Sequence, residues 1–158
     1  MINGQPLTFL IRSKEKAIVE NIDFPSELLD VNQINKYYEN LEAISSKDHF
    51  ENERKYSKFY TNKALSKLYQ KFDKNDWKHH TDVLKVNAGF NIFSNAMAIP
   101  TGILEEPFFS KDLPAYMNYG ALGWIVGHEI THGFDDQGKQ FDENNKFIDW
   151  WQPGAKQK

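Results

Sequence analysis

Residues 114–133 read PAYMNYGALGWIVGHEITHG, and the rest of the chain is best read outward from this stretch. Proline suits the first turn of a helix and glycine suits its end, so a helix is expected from Pro114 or Ala115 to Gly133. Within it, His128-Glu129-Ile130-Thr131-His132 has the form H-E-x-x-H. Side chains four apart share one helix face, so both imidazoles can reach one ion. Ala121, Trp124, Ile125, His128 and His132 lie on that side. Glu129 stands next to the first imidazole, within reach of a water held by the metal. Gly120, Gly123 and Gly127 each cost the helix roughly 1 kcal/mol relative to alanine. A helix that tolerates them calls for close backbone approach by another element. That favours a specialised site over two histidines falling four apart by chance.

The pattern suits zinc, which takes neutral imidazole nitrogens at a separation that a helix presets. Zinc lowers the pKa of its water toward ~7, and Glu129 as general base can take the proton while that water attacks a peptide carbonyl. The same carboxyl can pass the proton to the leaving nitrogen. A catalytic zinc usually has three protein ligands, and the third is not evident in the motif. A metzincin needs glycine three residues and histidine six residues beyond the second ligand. Asp135 and Gly138 stand there instead, so that class is excluded. A carboxylate from another helix, the gluzincin arrangement, remains. Asp135 and Asp136 lie one turn past His132, where a carboxylate can orient an imidazole or simply solvate a helix end. Asp142 and Glu143 are possible substitute ligands without support from any spacing rule. His79 and His80 match no ligand pattern and read as exposed loop residues.

The chain has 158 residues, 40% of them apolar and 15% aromatic, enough for the core of one medium domain or two small pieces. A net charge of -3 gives no electrostatic case for nucleic acid. The absence of cysteine excludes disulfides and cysteine-type zinc sites. No apolar run approaches the ~18 residues of a membrane span. The apolar patch Leu7, Phe9, Leu10 and Ile11 lacks the flanks of a signal peptide.

The first half reads as helices. One is expected to start at Pro25-Ser26, with Ser26 as N-cap, and to run on through Leu28, Val31, Ile34, Tyr37, Tyr38 and Leu41. Asp48-His49-Phe50-Glu51 has the form of a capping box for a second helix. Phe50, Phe59, Tyr60, Ala64, Leu65 and Leu68 are its expected core positions. Residues 73–76 form a polar turn, and residues 154–158 a frayed end. Between them, Val83–Phe90 and Ala96–Ile99 read as short strands joined through residues 91–95.

Several further stretches are similar to the neprilysin family of zinc metallopeptidases, which includes the endothelin-converting enzymes. Val86-Asn87-Ala88 resembles the family's V-N-A motif. Residues 95–109, NAMAIPTGILEEPFF, resemble its N-x-I-x-x-P-A-G-I-L-x-x-P-F-F segment. Residues 118–151 follow the family almost position by position, and segments at 24–29 and 72–77 resemble upstream parts. Gly89 where the family has an aromatic, Thr101 for alanine and Glu105 for glutamine are departures. The first of them bears on the shape of a strand.

The resemblance implies a partial thermolysin-like (gluzincin) catalytic domain, α+β and predominantly helical, with the H-E-x-x-H helix and a short edge-strand sheet. It implies a helical segment over residues 1–80 and the first part of a catalytic domain over 81–158. His128 and His132 would ligate one zinc ion, and Glu129 would be the catalytic base. Asn87 and Ala88 would lie on the edge strand that binds a peptide substrate, an arrangement in which an extended peptide adds to a sheet. The family's third ligand is a glutamate on a later helix, in an E-x-x-x-D motif that this chain does not contain. The implied activity is hydrolysis of peptide bonds by metal-activated water, with this chain alone inactive or nearly so and poorly soluble. The implied location is extracellular or on a plasma-membrane ectodomain. The alternatives are a non-catalytic zinc- or peptide-binding remnant, and a helical interaction module using the Tyr- and Lys-rich stretch from Tyr37 to Lys71.

Overall fold

The computed structural model of the protein describes residues 6–71, 83–148 and 151. Along the chain they form helix α1 (Leu7–Lys16), strand β1 (Val19–Asp23), helices α2 (Val31–Tyr37) and α3 (His49–Ser66), strands β2 (Gly89–Asn91) and β3 (Ala96–Pro100), and helix α4 (Ala115–His132). Helix outweighs strand, and the fold is α+β with one small sheet. Contacts divide the chain into two compact units, Met1–Phe24 with Lys74–Lys158, and Pro25–Asp73. The first 24 residues therefore group with the second half, not with the helices that follow them. The boundary expected at residue 80, the turn at 73–76, His79, His80 and residues 154–158 lie outside the described residues.

In the first unit β3 is the middle strand of three, in the order β1-β3-β2. It runs parallel to β1, with Val19 opposite Ala96, and antiparallel to β2, with Gly89 opposite Ala98. All five of its residues are buried, as expected of a strand covered on both faces. Alternation puts Met97 and Ile99 on the same face, where they join Ala88 and Ile103 in the core. Helix α4 closes this core with Leu122, Ile125, Val126 and Ile130, spaced three and four apart.

The strand expected over Val83–Phe90 is confined to its end. Residues 83–88 run through turns and bends, and β2 starts only at Gly89. The Gly102 amide donates to the Val83 carbonyl (3.2 Å), and a Cβ on Gly102 would come within 2.5 Å of the Leu84 oxygen. These backbone groups therefore face the Pro100–Gly102 corner instead of a sheet partner. Strand β1 was not expected. Its sequence, VENID, carries little apolar alternation, and it is recruited by the open side of β3.

Helix α4 has the expected bounds, flanked by Pro114 and Gly133. Gly133 keeps right-handed angles, φ -65 and ψ -18, so no left-handed turn requires it. A Cβ there would instead be crowded by the Phe90 ring at 3.1 Å and the Ile130 carbonyl oxygen at 3.2 Å. The close approach expected along the helix is not found. Nothing among the described residues comes within 4 Å of a Cβ at Gly120 or Gly127, and Gly123 meets only Tyr119 and Asn118 of its own helix.

In the second unit the helix expected from Ser26 to Leu41 is split. Ser26–Leu29 forms a 3-10 turn, and α2 begins afresh after Asp30. Asp30 is extended (φ -102, ψ 107) and its carboxylate accepts from the Asn32 amide at 2.9 Å, so Asp30, not Ser26, is the cap. Helix α3 starts as expected at Asp48, which accepts from the Glu51 amide at 2.9 Å. Glu51 does not complete the capping box; it pairs with Arg54 at 2.7 Å. The aromatic stripe packs only in part. Phe59 is buried among Tyr37, Tyr38 and Tyr60, whereas Phe50 is 79% exposed.

Candidate functional site

The inward stripe of α4 passes through Leu122, Ile125, Val126 and Ile130, and Glu129 belongs to it by spacing. Its side chain is accordingly buried, at 6% exposure. Glutamate is almost never fully buried without a partner or a task. Trp124, His128 and His132, four apart, form the neighbouring stripe. The indole stacks on the His128 ring at 5.9 Å and 30°. The two imidazoles are nearly perpendicular, and their Nε2 atoms lie 3.1 Å apart.

Asp135 fixes the second imidazole. One oxygen of its carboxylate accepts from the Gln137 and Gly138 amides (2.9 and 2.8 Å), and the other contacts His132 Nδ1 at 2.9 Å. Burial acts to raise the Asp135 pKa, but the hydrogen bonds from Gly138, His132 and Gln137 outweigh it and hold the carboxyl below its ordinary value. An ionised carboxylate only accepts, so Nδ1 of His132 carries the proton. In the neutral form of the ring, the form a metal takes, the lone pair is then on Nε2, which faces His128. Asp136 is exposed and does not take this place; its backbone carbonyl accepts from Gln140 at 2.9 Å.

A cleft of about 660 Å³ runs along these groups. Trp124, His128, Glu129 and His132 line it from α4. Val86, Asn87 and Ala88 line it from the stretch leading into β2 and Phe90 from β2 itself, with Ile103 and Phe108 beyond. Asn87 and Ala88 thus precede the outer strand rather than lying on it, and Ala88 is part of the core.

The donor set fits zinc in part. Two nitrogens at about 2.0–2.1 Å from a tetrahedral ion are about 3.3 Å apart, so the observed 3.1 Å needs only slight opening. Neutral imidazoles backed by a carboxylate are the usual zinc donors. Among the described residues no three His, Cys, Asp or Glu side chains form a metal-holding group. Asp142 is not grouped with the two imidazoles; one oxygen of its carboxylate caps its own turn by accepting from the Asn144 and Lys146 amides, both at 2.9 Å.

Two residues beside the site carry no sequence signal. Lys14 of α1 is 2% exposed, and its ammonium donates to the carbonyls of Gly138 (2.5 Å) and Phe141 (2.8 Å). Its partners lie 124 and 127 residues away, so no local pattern could reveal them. Burial pushes its pKa down to about 8, against the opposing charges of Asp142 and Asp135. Gly138 packs so tightly that a Cβ would overlap the His132 carbonyl oxygen.

The sequence model of Peptidase family M13 matches residues 87–158. Neprilysin-2 of Drosophila melanogaster is 40% identical over 140 residues, 89% of this chain and 18% of its own length. Neprilysin of Homo sapiens is 39% identical over 143 residues, 89% of this chain and 19% of its own length. The crystal structure of the Mycobacterium tuberculosis zinc metalloprotease Zmp1 with an inhibitor superposes with a TM-score of 0.81 at 28% identity, covering 97% of this chain and 22% of the other. The chain spans about a fifth of the length of these relatives. A family match that starts at Asn87 and takes in both imidazoles and Glu129, continued by relatives aligned over most of the chain, leads to one conclusion: the chain belongs to peptidase family M13.

Proposed function

We propose that this cleft is part of a zinc metalloendopeptidase centre, with His128 and His132 as ligands, Glu129 as general base and Asp135 orienting His132. One observation carries the proposal: two Nε2 atoms 3.1 Å apart, one with its tautomer fixed by a carboxylate, beside a buried glutamate. Zinc, when bound, supplies Lewis acidity at this point. Glu129 takes the proton of the attacking water and returns it to the leaving nitrogen. Asn87 and Ala88, at the entry to the outer strand, hold an extended peptide by backbone pairing. Asp135, and not Asp136, takes the orienting role. No helix among the described residues is long and apolar enough to cross a membrane. A place on an extracellular or membrane-anchored ectodomain belongs to the same proposal.

A second reading, a non-catalytic zinc- or peptide-binding piece, is favoured by the convergence of only two ligands among the described residues. Zinc calorimetry on this chain, and peptide cleavage by a longer form of it that adds a third ligand, a carboxylate, separate the two. On the peptidase reading H128A loses zinc, and E129Q keeps zinc while hydrolysis falls about 10²–10⁴-fold. Zinc binding without hydrolysis even in the longer form supports the second reading. No zinc binding in either form, with H128A indistinguishable, removes the peptidase reading and leaves of the second only peptide binding.

A further inference from the structure

We propose that Lys14 is a positioning residue for the His132 imidazole, acting through the turn that follows α4. The inference rests on the metal-site reading above. Lys14 is the largest fully buried side chain of the described residues, and a lysine in that position needs a reason. Its ammonium reaches the Gly138 and Phe141 carbonyls, which bracket the turn at 138–141. The Gly138 amide is in turn a donor to Asp135, whose other oxygen holds His132 Nδ1. Three links therefore join α1 to the imidazole: ammonium to carbonyl, amide to carboxylate, carboxylate to ring.

The far end of the lever is fixed as well. Asn95, buried and held at φ 50, donates from its side-chain amide to the Lys14 carbonyl at 3.1 Å. The Asn95 carbonyl accepts from the Val19 amide at 2.9 Å, where β1 begins. The sheet thus sets the position of Lys14, and Lys14 sets the turn. Without its ammonium the two carbonyls would lose a charged donor, and Gly138 and Asp135 would be free to shift. Outer partners of metal-bound histidines typically change metal affinity by about 10–100-fold when removed.

The test uses the whole chain and two readouts. Zinc affinity is measured by calorimetry for the unmodified chain, K14M, K14R and D135N. The His132 tautomer is measured without metal, at pH 7, where Lys14 keeps its ammonium, from the ring nitrogen shifts in ¹⁵N-labelled protein. K14M is expected to weaken zinc about tenfold and to mix the His132 tautomers, K14R to restore most of both, and D135N to weaken zinc by up to about 100-fold. If K14M does not fold, as judged by circular dichroism, K14Q is read in its place. A folded K14M or K14Q with unchanged zinc affinity and a single Nδ1–H tautomer overturns the proposal. If the unmodified chain binds no zinc, the functional reading fails, and the tautomer still decides the link from Lys14 to His132.

Discussion

A methyl group at Gly138 would occupy the place of the His132 carbonyl oxygen and crowd the carbonyl of Gly133. Both are backbone atoms, so no rotamer change makes room. G138A is expected to lose about 1–3 kcal/mol, or more if the turn cannot shift as a unit. The check is the urea midpoint at constant slope. Gly133 differs in degree, because its nearest obstacles, the edge of the Phe90 ring at 3.1 Å and the Ile130 carbonyl oxygen at 3.2 Å, need to give by only a few tenths of an ångström. G133A is accordingly expected to cost less than G138A; the reverse order would show that the ring is the firmer neighbour. At this scale the spacing of His128 and His132 was enough to foresee that their rings meet. It was also enough to put Asp135 within reach, but not to choose it over Asp136. That choice depends on how the Gln137 and Gly138 amides turn back, which three-dimensional packing decides.

Helix α3 begins on one carboxylate, that of Asp48. Since Glu51 is engaged by Arg54, no reciprocal bond supports the cap. D48A should cost the second unit about 0.5–2 kcal/mol, seen as lower helicity and an earlier thermal transition. An unchanged transition would mean that the first turn is held by packing alone. The starts of α3 and α4 were legible because caps, proline and glycine act on neighbours in sequence. Strand β1 was not, because its partner lies far along the chain and its own residues are mixed in character. Val83–Ala88 misled for the opposite reason. Their apolar alternation is that of a strand, yet the corner at Gly102 takes their backbone groups. The Ser26 helix was broken by Asp30, a better cap placed four residues later.

Over the whole molecule, Lys14 couples stability to pH. Its folded pKa of about 8 lies below the ordinary 10.5, so between these values the unfolded chain binds more protons. Stability should therefore rise as pH climbs from about 8 toward 10.5, while below about 8 the full cost of burying the ammonium is present. Asp142 and Asp135 face the ammonium and reduce that cost without cancelling it. Urea midpoints of the unmodified chain and K14M across this window give the test: the rise should be shallower in K14M, and parallel curves would contradict it. The grouping of residues 1–24 with the second half has a further consequence, one of timing. Strand β1 leaves the ribosome first, but its partner at 96–100 follows only after the whole of the 25–73 unit. At about 5–20 residues per second the wait is roughly 4–15 s. The inserted unit has time to fold before the one that encloses it in sequence, and nascent β1 meanwhile remains an unpaired strand within reach of chaperones.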